Sequence, residues 1–195
     1  MTSLVDYSIV IPILNEESII TELWIQLSRV LGQISGTKEV IFINDGSTDL
    51  SLEILIDLRL TNPEIKILNL SRNFGHQQAL TAGINYAEGN AVILMDGDLQ
   101  DSPSTILSFI EKWREGYEVV YSIRQKRKES FLKRLAFNGF YRIQSFLSEI
   151  EIPLDAGIFS LLDRKVVLVM RSMPEHNRYL SGLRAYSGFS QIGIS

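Results

Sequence analysis

The sequence predicts an α/β protein, a mostly parallel, doubly wound sheet flanked by helices, in one domain covering residues 1–195. Three observations predict it. Four short apolar runs rich in β-branched residues are each followed by a stretch of helical spacing, the pattern of parallel strands joined by right-handed crossovers. One of these runs, Ala91-Val-Ile-Leu-Met95, is apolar throughout, too short to cross a bilayer and suited to a strand buried on both faces. Finally, 195 residues at 45% hydrophobic content suffice for one substantial core, and no linker, repeat or low-complexity segment divides the chain.

The first strand is Tyr7-Ser-Ile-Val-Ile-Pro-Ile13, closed by a turn at Leu14-Asn-Glu-Glu17. Pro12 has no amide to donate, so it belongs at a strand terminus or an edge. Ile19, Leu23, Leu27, Val30 and Leu31 give Ser18–Leu31 one apolar helical face that ends near Gly32. The second strand, Glu39–Ile43, runs into Asn44-Asp-Gly-Ser-Thr-Asp49, a set of turn formers and helix caps, and a helix follows over Ser51–Leu60. A third unit joins a strand at Ile65–Leu70 to a helix at Gln77–Ala87 that Gly89 stops. The fourth strand is Ala91–Met95, and Pro103 opens a helix reaching Trp113. The pattern then loosens. Strands are expected at Glu118–Ser122 and Ile158–Leu162, a long amphipathic helix at Phe131–Leu147, and a helix at Arg164–Met170. Arg178–Ser195 mixes a helical turn with a weak edge strand, and Trp24 and Trp113 are expected as core or half-buried aromatics.

A formal net charge of −4 gives no electrostatic reason to bind nucleic acid. The chain has no cysteine, which excludes disulfides and thiolate metal sites. It lacks the basic-then-apolar start of a signal peptide and any run near the roughly 20 apolar residues of a membrane span, so a cytoplasmic domain is expected. Neither Gly-x-Gly-x-x-Gly nor Gly-x-x-x-x-Gly-Lys-Ser/Thr occurs, which argues against dinucleotide cofactors and Walker-type phosphate loops. Ser47 and Ser71 have no histidine–acid pattern around them, His176 is isolated, and His76 reads as a polar helix-start residue.

Candidate chemistry gathers where the strands end. Asp96-Gly-Asp98 follows the fourth strand, and ligands of open α/β sheets bind at that carboxyl edge. Strand alternation sends residues i and i+2 to one side, so both acids are expected to face one ligand, with Gly97 leaving room between them. Two hard oxygen ligands suit Mg²⁺ or Mn²⁺ carrying waters and substrate phosphates better than zinc. The same residues also suit a solvated Asp-Gly turn. A parallel sheet would bring Asn15, Glu16 and Asp45 to the same edge, where an acid after the second strand can hold a ribose or base; Asn-Asp-Gly-Ser is equally an ordinary tight turn.

Four motifs in order, Pro12-Ile-Leu-Asn-Glu16, Asn44-Asp-Gly-Ser-Thr-Asp49, Arg72-Asn-Phe-Gly-His76 and Met95-Asp-Gly-Asp-Leu-Gln-Asp101, resemble those of family 2 glycosyltransferases. The likeness covers Tyr7 to about Gln191 and is nearest the polyprenyl-phosphate glycosyltransferases, which include dolichol-phosphate mannose synthase and bacterial enzymes that load a sugar onto undecaprenyl phosphate. It implies the GT-A (nucleotide-diphospho-sugar transferase) fold, a Rossmann-like sheet, and inverting transfer from a nucleotide sugar, UDP-linked such as UDP-glucose, to polyprenyl phosphate. It further implies that Asp45 holds the base, with Pro12, Leu14 and Glu16 lining that pocket. Asp96 and Asp98 would contact ribose and the metal-bound diphosphate, with Mg²⁺ or Mn²⁺ as cofactor and Gln100 near donor or acceptor. Asp155 would stand by the reacting sugar, and Arg178 would face diphosphate or acceptor.

Arg124-Gln-Lys-Arg-Lys128 and Lys133-Arg134 form the one dense basic cluster, interleaved with Phe131, Leu132, Leu135, Phe137, Phe140 and Tyr141. Such a run suits a solvated face or buried helix, and equally a landing site for anionic headgroups. The family resemblance puts Arg124 and Arg134 on the acceptor phosphate and the protein at the inner face of a membrane. The chain departs from the pattern where relatives carry tryptophan at Tyr186 and arginine at Ser160 and Ser190, which puts phosphate binding at that end in doubt. Relatives often continue into membrane spans, so a homo-oligomer or membrane partner protein is expected to supply contacts missing from a chain ending at Ser195. The alternatives are the same fold serving a soluble or polysaccharide acceptor, and a non-catalytic nucleotide-sugar binding fragment. A nucleotidyltransferase is disfavoured, because no glycine-rich basic loop follows the first strand.

Overall fold

The computed structural model describes residues 5–123, 156–176 and 178–194. Seven strands make one sheet: β1 (Tyr7–Ile13), β2 (Lys38–Asn44), β3 (Ile65–Asn69), β4 (Ala91–Leu94), β5 (Val119–Ile123), β6 (Ala156–Asp163) and β7 (Gln191–Ile194), in the order β3-β2-β1-β4-β6-β5-β7. The helices are α1 (Ile20–Leu31), α2 (Ser51–Thr61), α3 (His76–Tyr86), α4 (Thr105–Arg114), α5 (Arg164–Ser172) and α6 (Leu180–Tyr186). The four leading strand–helix units fall where the apolar periodicity puts them, with ends shifted by a residue or two. The helix expected at Phe131–Leu147 lies outside the described residues.

Strand alternation sorts the core into two layers. Ile9, Ile11, Ile13, Val40, Phe42, Ile93 and Leu161 pack against Leu23, Leu27 and Phe109 of α1 and α4. Val10, Ile41, Ile43, Val92, Leu94 and Leu162 face Ala79, Leu80 and Ile84 of α3 and Val166 and Met170 of α5. A Cβ on Gly83 of α3 would stand 2.3 Å from Val10 Cγ1, so that helix lies closer to the sheet than alanine would permit.

The sheet is not parallel throughout. β6 runs against both neighbours, β4 and β5, while every other described pairing is parallel. Ala156 pairs with Ile123, so the chain leaves β5 and enters β6 at one edge, and strands connected in that way pair antiparallel. Pro12 stands in a central strand, and the register explains its tolerance. β4 pairs with β1 only as far as Val10, whose carbonyl accepts the Met95 amide at 3.0 Å. Two residues on, the side of β1 to which Pro12 would donate has no strand.

At the amino edge a buried polar cluster joins three strands. Glu39 accepts from Ser8 Oγ at 2.5 Å and from the Glu88 amide at 2.7 Å, and Lys66 Nζ lies 2.6 Å from its other oxygen. Burial by itself would raise the Glu39 carboxyl; Lys66, Ser8 and the Glu88 amide outweigh it and hold the group below its ordinary value. Trp24 is buried, and Trp113 donates its indole N–H to Asp163 at 2.8 Å beside the ring of Tyr7.

Candidate active site

β1, β2 and β4 all end at the carboxyl edge, and the loops that follow carry the acids singled out by the sequence. The loops after β1 and β2 are laced together. The Asn15, Glu16 and Glu17 amides donate to Ser47 Oγ (3.0 Å), Ser51 Oγ (2.9 Å) and Asp49 Oδ2 (3.1 Å). In return the Thr48 and Leu50 amides donate to Asn15 Oδ1 and Glu17 Oε2, both at 2.8 Å. Asn15 takes a left-handed φ of 55°, which asparagine tolerates better than most residues.

Asp45 lies one residue past β2 with only 2% of its surface exposed. Its two oxygens accept the Phe74 amide at 2.8 Å and the Gly75 amide at 2.9 Å. The carboxylate thus pins the loop between β3 and α3, a task the sequence reading did not foresee. Gly46 makes this possible: its φ is +73°, and a Cβ there would stand 2.4 Å from the Arg72 carbonyl carbon. Over the pinned loop, the Arg72 guanidinium covers the Phe74 ring at 4.0 Å.

Asp96 and Asp98 do not sit on a strand. β4 stops at Leu94, and the chain turns through Leu99 at φ 57°, so alternation along a strand does not set their directions. The room at Gly97 is also taken: a Cβ there would meet Ile13 Cδ1 at 2.7 Å and the Pro12 carbonyl oxygen at 3.0 Å. Glycine lets β1 close against the acidic turn and does not open a gap for a ligand. Asp96 Oδ1 lies 2.7 Å from Nε2 of His76, the first residue of α3. Asp98 Oδ1 accepts the backbone amide of the exposed Gln100 at 3.0 Å. Burial raises the Glu16 carboxyl above its ordinary value, and the negative charges of Asp98 and Asp49 push it the same way. Glu16 thus feels carboxylates on two neighbouring loops in addition to its burial.

Of the remaining predicted residues, Pro12 is buried at the end of β1 and Leu14 is exposed beyond it. Arg178 folds back on the segment that follows α5, where its Nε and Nη2 donate to the carbonyls of Glu175 (3.1 Å) and Met173 (2.7 Å). Arg124, Arg134 and Asp155 lie outside the described residues. Ser190 belongs to the opposite edge, bonded to Glu118 before β5 begins, and Ser160 turns its hydroxyl to the Ile158 carbonyl at 2.8 Å. The His76–Asp96 contact was missed, although a histidine opening the helix after a parallel strand must lie at the carboxyl edge. Among the described residues no three His, Cys, Asp or Glu side chains come together to enclose a metal. Asp96 and Asp98 are hard oxygen donors of the kind that hold Mg²⁺ or Mn²⁺ when substrate phosphates and waters complete the shell.

The family model described as Glycosyl transferase family 2 matches residues 8–169, from β1 into α5 and across all these loops. The chain belongs to glycosyl transferase family 2. It is 48% identical over 195 residues to an uncharacterized glycosyltransferase of Bacillus subtilis, YkcC, covering 100% of this chain and 60% of that relative. It is 36% identical over 182 residues to a prophage bactoprenol glucosyl transferase homolog of Escherichia coli, covering 93% of this chain and 60% of the other. The chain thus spans about three-fifths of the length of these curated relatives. Mannosyltransferase PcManGT of Pyrobaculum calidifontis, solved with GDP-Man and Mn²⁺, superposes with a TM-score of 0.69 at 16% identity, over 100% of this chain and 55% of that one. The fold of this family 2 member is GT-A.

Proposed function

We propose that this protein is a metal-dependent, inverting glycosyltransferase that moves a sugar from a nucleotide sugar, UDP-linked such as UDP-glucose, to polyprenyl phosphate. The observation that carries the reading is the placement of Glu16, Asp49 and Asp98 on three loops at the carboxyl edge, where burial first, and then the charges of Asp98 and Asp49, raise the Glu16 carboxyl. A divalent cation with a diphosphate relieves such repulsion and belongs at this edge of the sheet. Asp96 and Asp98 would hold the ion, which would supply Lewis-acid stabilisation of a departing diphosphate. His76 orients the Asp96 carboxylate, and Asp98 steadies the turn through the Gln100 amide. Asp45 is proposed to meet the base from its braced position, beside Pro12, Leu14 and Glu16.

A prenyl phosphate is anionic before it attacks, so the acceptor needs no strong general base. Asp155 is assigned to orienting the sugar or acceptor, and Arg124, Arg134 and Arg178 to phosphate oxygens. The acceptor assignment is supported by the bactoprenol glucosyl transferase relatives at 35–36% identity. No helix among the described residues is long and apolar enough to cross a membrane, and the protein is proposed to work from the cytoplasmic membrane face. Titrating a panel of nucleotide sugars with and without Mn²⁺ or Mg²⁺ tests the donor site. Asp98→Ala is expected to abolish ion-dependent donor binding while leaving the melting temperature near wild type; unchanged binding would refute the site. Transfer to a prenyl phosphate, and liposome binding after neutralising Arg124–Lys128, separate a lipid acceptor from a soluble one.

A further inference from the structure

Arg184 in the last turn of α6 is 3% exposed, yet most of its guanidinium is unmatched. Nη1 donates to the Gly157 carbonyl at 3.2 Å, and the group lies over the Tyr121 ring at 4.8 Å. Nε and Nη2 are buried with no hydrogen-bond partner, and no carboxylate of the described residues forms an ion pair with them. Burial lowers the guanidinium to about 10, with partial compensation from Tyr121 and Tyr179, so it remains charged at neutral pH.

The two unsatisfied groups are chemically specific. Nε–H and Nη2–H are the parallel donors on one edge of the guanidinium, the pair that meets two oxygens of a phosphate or carboxylate. A buried charge is retained only when paired and hydrogen-bonded. The position of Arg184 indicates what completes it. Leu94 at the end of β4 pairs with Ser160, so Gly157 lies beyond β4 on the side where Asp96 and Asp98 follow. Tyr121, midway along β5, pairs with the same Ser160 and so lies level with the end of β4. α6 is tethered there too, because the Leu180 amide donates to Gln77 Oε1 at 3.0 Å, beside the His76 that contacts Asp96.

We propose that Arg184 is an oxyanion-binding residue, its Nε–H and Nη2–H receiving a phosphate group of a substrate at the carboxyl edge beside β5 and β6. This rests on the glycosyl-transfer reading and adds a binding residue to it. Phosphate at this edge has two sources, the donor diphosphate and the acceptor monophosphate, and the experiment separates them.

Wild-type, R184M and R184K proteins are melted without ligand in phosphate-free buffer, then titrated calorimetrically with UDP plus Mn²⁺ and, separately, with farnesyl phosphate. R184M is expected to lose about tenfold or more in affinity for one probe, and the weakened probe names the source. Its unliganded melting temperature is expected to equal or exceed that of wild type, since an unmatched buried charge has been removed. R184K keeps the charge without the paired donors and is expected to fall between the two. Affinities within about twofold of wild type for both probes would overturn the proposal. So would a lowered melting temperature with equal losses for both, which would mean that Arg184 pairs with a carboxylate of the protein. Wild-type protein that binds neither probe would sink the glycosyl-transfer reading together with this one, whereas intact binding in R184M would sink this one alone.

Discussion

Asp45→Asn separates two tasks that one carboxylate can perform. In the structure, each oxygen of this buried group accepts a backbone amide, from Phe74 at 2.8 Å and Gly75 at 2.9 Å. Asparagine is nearly isosteric but offers one oxygen, so one amide keeps its partner and the other faces an NH₂ group. A hydrogen bond to a charged acceptor contributes about 1.5–3 kcal/mol, and the orphaned buried donor adds its own penalty, so the variant should lose about 2 kcal/mol. In a chain of this size that lowers the melting temperature by about 4–8 °C. The assay is a calorimetric melt without ligand, followed by a UDP titration in Mn²⁺. Both stability and UDP affinity are expected to fall, because the loop before α3 loosens. A melt within about 1 °C of wild type, with UDP binding lost, would refute the brace and leave Asp45 as a base ligand alone.

Gly46→Ala forces a side chain into a left-handed φ and into the Arg72 backbone, and should cost about 3 kcal/mol or more in urea unfolding together with donor binding. Gly83→Ala should destabilise by about 1–2 kcal/mol although it improves helix propensity, because its Cβ collides with Val10; the double variant with Val10→Ala should recover part of the loss. Glu39→Gln should lower stability by about 2 kcal/mol near neutral pH. The folded Glu39 carboxyl is held below its ordinary value, so its contribution is complete above the unfolded carboxylate range and fades as pH falls through the folded value. Urea melts of wild type and Glu39→Gln at several pH values should therefore converge on acidification; a constant gap would contradict the assignment.

Much of the fold was legible because periodicity reports burial. The alternation of Ile9, Ile11 and Ile13 against Val10, and the helical spacing of Ile19 to Leu31, each has a physical counterpart in one of the two core layers. The reversal of β6 was not legible, because an apolar run such as Ile158–Leu162 looks the same in either direction, and only its partners β4 and β5 define it. The acids were located correctly at the ends of strands by topology, while their individual environments were not. Gly97 could admit either backbone or a ligand, and it is Pro12 and Ile13 that fill the space; Asp45, expected to hold a base, also holds amides 29 and 30 residues away. Long-range contacts of this kind leave no trace in local spacing. Arg184 also went unremarked, since an arginine in a short helix looks solvent-facing until its burial is known.

The reciprocal bonding between residues 15–17 and 47–51 constrains how specificity at the proposed donor site can change. The ordering entropy of both segments is met when the chain folds, so the nucleotide proposed to bind here would meet a rim that is already assembled. For the same reason neither segment can be exchanged alone. A grafted 44–49 sequence without Ser47 and Asp49 would leave the Asn15 and Glu17 amides without their acceptors, and the two segments must be transplanted, or evolve, as one inherited pair.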